Sequence, residues 1–172
     1  MFDAYVRLMD LVHKACLWCA GIGIIVISLI IPWGVFTRYV LQKGSQWPEP
    51  MAILIMIVIS FVSAAVCYRD NLHIGVMMLP NALTGAPRVM LGLVIELLML
   101  ATNLFMLVWG LELVRTTWNQ TIAEFPTLSV GITYLPIPVG GAIVSLFVIE
   151  RIWSGRYFQS ASDDAVAAAP TE

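Results

Sequence analysis

Three sets of residues in this chain have types and spacings that could support chemistry. Glu96 is a carboxylate within Val89 to Val114, a run whose only other charge-bearing acid is Glu112. Counted from Arg88, it lies about 12 Å along a helix, well inside hydrocarbon, where an ionised acid costs roughly 2.5–3.5 kcal/mol. Such a group can couple proton or cation movement to export, or it can pair helices. Gly92, Glu96, Met99, Asn103, Met106 and Gly110 alternate at spacings of four and three, which sets small and polar groups on one helical face. That pattern favours pairing. Cys16 and Cys19 form a C-x-x-C, the spacing of a disulfide relay, but a relay needs a second pair and only Cys67 remains. Small apolar side chains in a helix fit them better. His13 and His73 are candidate axial haem ligands, yet both fall near one membrane surface rather than on facing helices inside the bilayer. Interfacial hydrogen bonding suits them better. Asn119-Gln120-Thr121 has the form of a glycosylation sequon, a pattern common by chance. No Ser/His/Asp set, phosphate loop or metal-ligand spacing occurs, so no enzyme activity is expected.

These residues need elements to position them, and the composition says which kind. The 172 residues are 60% apolar and 12% charged, with a mean hydropathy of +0.89. Soluble domains carry about 25% charge, and one of this length cannot hide so much apolar surface. Nine Lys and Arg against eleven Asp and Glu, with no basic tract, argue against nucleic acid as a partner. The lipid bilayer is the expected surrounding. Four runs low in charge stand out, and with their flanks they predict spans over about 15–37, 48–68, 89–114 and 133–152. The runs are continuously apolar without the alternation of barrel strands, so they read as helices. Pro48, Pro50, Pro136 and Pro138 fall at span entrances, where a missing N–H costs little, and Pro32 predicts a kink in the first span. The fold class is thus an all-α integral membrane protein with four transmembrane helices. Residues 1–158 make one membrane domain, and 159–172, rich in Ser, Ala and Asp, a disordered cytoplasmic tail.

Orientation follows from the basic residues. Arg7, Lys14, Arg69, Arg88, Arg151 and Arg156 fall on one side and Arg38, Lys43 and Arg115 on the other, which predicts both termini in the cytoplasm. Asp3, Arg7, Asp10 and Lys14 make a polar stripe opposite Tyr5, Leu8 and Val12, with Asp3–Arg7 and Asp10–Lys14 as favourable pairs. This reads as a retained amphipathic lead-in, lying along the inner surface before the chain turns into the first span. Leu72 to Leu79 is apolar but too short to cross, and predicts a second surface segment. At the outer surface, Trp47-Pro48-Glu49 opens the second span, where Trp anchors and an acid complements the helix dipole. Arg38 ends the first span on the same side, within reach of an Arg38–Glu49 ion pair.

In order along the chain come Arg38-Tyr39, Trp47-Pro48-Glu49, Arg69-Asp70-Asn71-Leu72-His73-Ile74-Gly75-Val76, Leu79-Pro80 and Thr133-Tyr134-Leu135-Pro136-Ile137-Pro138-Val139-Gly140. With the amphipathic start, this series resembles the small membrane subunit, DctQ-like, of tripartite ATP-independent periplasmic (TRAP) transporters. The likeness spans roughly residues 1–158. In that family two consecutive acids often follow the Trp; here Pro48 replaces one, and any role of the pair rests on Glu49. The resemblance implies a subunit of the bacterial inner membrane that takes part in sodium-driven symport of an organic acid. Its partners would be a large TRAP membrane subunit, which holds the substrate and sodium sites, and a periplasmic substrate-binding protein. No cofactor is implied for this chain. Arg38, Trp47, Glu49, Asp70, His73, Glu96, Asn103, Tyr134 and Pro138 are the candidate structural or partner-contact residues. The rival readings are a small homodimeric proton-coupled exporter using Glu96, and a haem or quinone membrane anchor.

Overall fold

A computed structural model describes residues 2–42, 44, 46–70, 85–123 and 125–155 of the chain. The expected surface segment Leu72–Leu79, with His73 in it, and the tail over 159–172 lie outside the described residues. The described residues are helical apart from short connections, and four helical stretches are long and apolar enough to cross a membrane. Helix α1 is Phe2–Tyr39, α2 is Pro48–Arg69 and α3 is Ala86–Thr117. A short α4, Val130–Tyr134, leads into α5, Pro136–Ser154, and the two together form the fourth span.

The helix boundaries follow local chemistry. Proline opens α2, α3 and α5 in the first turn, where its missing N–H is no loss. Ser129 caps α4 by accepting a hydrogen bond from the Gly131 N–H. Gly155 ends α5 with φ of 66°, the left-handed conformation that closes many helices. Between Tyr134 and Pro136 the chain barely breaks, since the Val139 N–H still reaches the Leu135 carbonyl at 3.2 Å.

One sequence expectation changes here. The lead-in is helical, but it does not turn onto a surface: α1 runs 38 residues without interruption and passes through Pro32. At roughly 1.5 Å per residue that is about 57 Å, nearly twice the hydrocarbon thickness. The reason is visible in the residues, because neither Gly nor Pro occurs before Gly21 to make a corner. The first turns of α1 pack into the protein. Met9 is fully buried in a cluster with Ala65, Tyr68, Val144, Phe147 and Val148, flanked by Tyr5 and Val12, while Leu8 stays exposed. Asp10, read in the sequence as a partner for Lys14, forms an ion pair with Arg69 of α2 at 2.7 Å.

Helix α1 packs on α2, α2 on α5 and α5 on α3, so α1 and α3 form the two edges of the arrangement. Lipid is as apolar as leucine, so helices inside it are held by close packing and polar bonds rather than by apolar burial. The α3–α5 contact shows the first device. A Cβ at Gly141 would lie 2.9 Å from the Asn103 carbonyl oxygen, and one at Gly110 would lie 3.0 Å from Cδ of Pro138. Glycine lets the two backbones touch. The buried residues of α3 are Gly92, Glu96, Asn103, Gly110 and Val114, so the face read from the four-three spacing is the face that packs. The second device, polar closure, is concentrated at one end.

Candidate functional site

At the end where α1 begins and α5 finishes, charged and aromatic groups from all four spans meet in a belt. Arg69 of α2 is its best-connected member. Its guanidinium donates to Glu150 of α5 through Nε (3.3 Å) and Nη2 (3.0 Å), to Asp10 of α1 through Nη2 (2.7 Å), and to the Met9 carbonyl through Nη1 (3.1 Å). It also lies 5.2 Å from the Phe147 ring centre, a cation–π distance. A planar fork with five donors can satisfy partners on two helices at once, which an ammonium on a flexible stem does less well.

Glu96 of α3 completes the other half. The Tyr68 hydroxyl donates to its Oε2, and Arg151 Nη1 lies 3.3 Å from its Oε1. Arg151 also donates to the Tyr68 carbonyl at 2.8 Å and sits 4.5 Å over the Tyr68 ring. The carboxylate is 4% exposed yet has a cation and a hydroxyl, as a buried acid requires. A third contact joins His13 of α1 to Asp70, next to the end of α2, with Nε2 2.9 Å from Oδ1. That approach is close but is not aligned as a hydrogen bond, and among the described residues Nε2 has no hydrogen-bond partner.

The belt alters the placement of Glu96. Measured from Arg88 it falls deep in a span, but Arg69, Asp70, Glu150 and Arg151 from neighbouring helices lie at the same level. The first ten residues of α3, about 15 Å of helix, therefore extend past the belt. Asn103 does not join Glu96, because its Nδ2 bonds back to the Met99 carbonyl at 2.8 Å. It serves the same helix face by packing against α5.

The remaining candidates among the described residues lie far from the belt. Arg38 and Glu49 do approach, at 3.7 Å, with both side chains mostly in the open. Trp47 is exposed at the N-cap of α2, and Pro48 behind it is buried against Gly34 of α1. Tyr134 is half-buried at the end of α4, and Pro138 is fully buried against Gly110. Near these two the chain from Trp118 to Val130 forms a small hairpin. Thr121 bridges Ser129, and the Val130 N–H meets the Gln120 carbonyl at 2.8 Å. The sequence reading missed Tyr68, Arg69, Glu150, Arg151 and Asp10 as a set. They lie on three helices, Asp10 on α1, Tyr68 and Arg69 on α2, and Glu150 and Arg151 on α5. The sequence shows each only beside its neighbours on its own helix, Asp10 as a partner for Lys14 and the two arginines as markers of the inner side.

Comparison with known proteins agrees with this architecture. Residues 27–156 match the family described as tripartite ATP-independent periplasmic transporters, DctQ component. A TRAP transporter small permease protein of Haemophilus influenzae is 24% identical over 137 residues, covering 76% of this chain and 81% of that one. The sialic acid TRAP transporter small permease protein of Vibrio cholerae is 23% identical over 127 residues, covering 73% of this chain and 72% of its own.

Proposed function

This chain belongs to the DctQ-component family of TRAP transporters, and from that premise we propose that it is the immobile scaffold of a sodium-driven organic-acid carrier. It is a multi-pass protein of the inner membrane. TRAP small permeases work with a large membrane subunit and a periplasmic substrate-binding protein. In our reading the large subunit moves substrate by sliding one of its domains, and a sliding domain needs a fixed frame to push against. The four spans of this chain enlarge that frame. Both termini face the cytoplasm, residues 1–158 act as one membrane domain, and the end bearing Trp47, Glu49 and the Trp118–Val130 hairpin faces the periplasm as part of the dock for the binding protein. An organic acid is the substrate class that fits a relative described for sialic acid.

One observation carries the scaffold reading. Among the described residues the buried polar ones are Thr37, Glu96, Asn103 and Ser145. Three of them bond to their own helices, at the carbonyls of Gly34, Met99 and Gly141. Glu96 is held by Tyr68 and Arg151. The first three are satisfied within their own helices and Glu96 ties α3 to α2 and α5; a carboxylate with a fixed cationic partner suits a tie between helices better than an exchanging ion site.

Two measurements test this. Expressed with the neighbouring transporter genes, the chain should co-purify with a larger membrane protein; failure to retain one removes the proposal. Glu96→Gln keeps a hydrogen-bond partner for Tyr68 but leaves Arg151 short of its counter-charge. We expect the complex to lose about 1–3 kcal/mol of stability while uptake per intact complex stays near wild type. Uptake abolished in a complex that remains assembled would instead make Glu96 a coupling residue.

A further inference from the structure

We propose that the groove between α1 and α2 near Arg38 binds one phospholipid of the ethanolamine class, a zwitterion with a primary ammonium in its headgroup. The groove encloses about 400 Å³, within the range of small-molecule sites. Ile27, Ile31 and Val35 form one wall, and Ala52, Ile53 and Met56 the other. These aliphatic walls suit an acyl chain and offer nothing to a polar one. Arg38, Tyr39 and Glu49 stand at the rim, so the slot ends in a cation, a hydroxyl and an anion.

The rim selects the headgroup. Arg38 and Glu49 lie 3.7 Å apart, too far for a hydrogen bond, and are 59% and 77% exposed. Such a pair holds itself together weakly and is opened at little cost. A phosphate placed between them accepts a forked pair of hydrogen bonds from the Arg38 guanidinium, and a primary ammonium two carbons away donates to Glu49. Four charges of alternating sign then replace two. A phosphatidylglycerol gives Arg38 the same phosphate but offers Glu49 only neutral hydroxyls in place of a cation, so the carboxylate keeps an uncompensated charge beside the phosphate. A phosphatidylcholine places a trimethylated nitrogen, without N–H donors, at the carboxylate. The occupant that answers both rim charges is the ethanolamine lipid. This site is separate from the belt and does not depend on the scaffold reading.

The test uses the complex of this chain with its large subunit, stripped of bound lipid in detergent. Dioleoyl phosphatidylethanolamine, phosphatidylglycerol and phosphatidylcholine are added in turn, and retained adducts are counted by native mass spectrometry. We expect a phosphatidylethanolamine adduct favoured over phosphatidylglycerol by about three-fold or more, the scale of one exposed ion pair. Glu49→Gln, an exposed change that leaves packing alone, should bring that ratio to about one. Met56→Trp, at an exposed position of the wall, should narrow the slot and weaken the adduct for all three lipids. Equal retention of the lipids by the unmodified complex, or a preference unchanged in Glu49→Gln, overturns the proposal. So does a photo-crosslinker at position 53 that captures the large subunit instead of lipid, since the groove is then filled by protein.

Discussion

Both ends of this molecule carry an arginine that meets a carboxylate across two helices, and the two arginines do different things. At the belt end the Arg69 side chain is 16% exposed and reaches acceptors on α1 and α5, with Glu150 held from two nitrogens. At the hairpin end Arg38 is 59% exposed and meets a single oxygen of Glu49 at 3.7 Å. Residue type is the same in both places. Burial and the number of partners decide whether the charge builds structure or decorates a surface, because water screens one pair and spares the other. The hairpin end is organised instead by backbone bonds and by Ser129, whose Oγ donates to the Trp118 carbonyl and accepts from the Gly131 N–H.

The sharpest break of this contrast is Arg69→Ala. It strips Glu150, Asp10 and the Met9 carbonyl of their donor and leaves two carboxylates close together. Removing one partner of a buried pair costs about 3–5 kcal/mol, and the Glu150 side chain is 15% exposed. The expected result is loss of most assembled protein from membranes, or a large drop in the thermal midpoint of what remains, read by fluorescence-detected size exclusion after heating. Arg69→Lys should recover part of it, since an ammonium replaces the charge but not the fork. A midpoint unchanged by Arg69→Ala would mean that the belt contributes little to holding the spans.

The smaller Ser129→Ala change probes the other end. It removes an N-cap and a tie to Trp118, worth about 1 kcal/mol, and its effect should be local. Hydrogen exchange should speed up over Trp118 to Val130 and leave Arg69 and its neighbours as they were; spread to the belt would show that the ends are coupled. How much of each end was legible in the sequence differs in the same way. The packing face of α3 could be read because small and polar residues repeat within one helix, and the spacing of a single helix is known in advance. Proline likewise announced the starts of the second and fourth spans. The belt could not be read, because it depends on how far one helix is displaced along another. Glu96 looked deep when counted from Arg88; only the position of α5 shows that Arg151 stands level with it. Asp10 looked like a partner for Lys14 for the same reason, since its neighbour on α1 was visible and Arg69 on α2 was not.

The smallest expected effect sharpens the comparison most. Arg38→Ala, Glu49→Ala and the double variant form a cycle at the hairpin end, to be measured beside Arg151→Ala, Glu96→Gln and their double at the belt end. An exposed pair at 3.7 Å should give a coupling of less than about 0.5 kcal/mol, lost in added salt because the charges lie in water. The Glu96–Arg151 pair should give a coupling of about 1–3 kcal/mol that salt hardly moves, because the 5% and 15% exposures leave little room for counter-ions. The salt response separates burial from mere proximity, which the static distances of 3.3 Å and 3.7 Å do not. Should Arg38 and Glu49 couple as strongly as Glu96 and Arg151, and resist salt as well, then the hairpin end is covered in the assembled transporter. Its two charges would then belong to an interface rather than to a rim open to lipid.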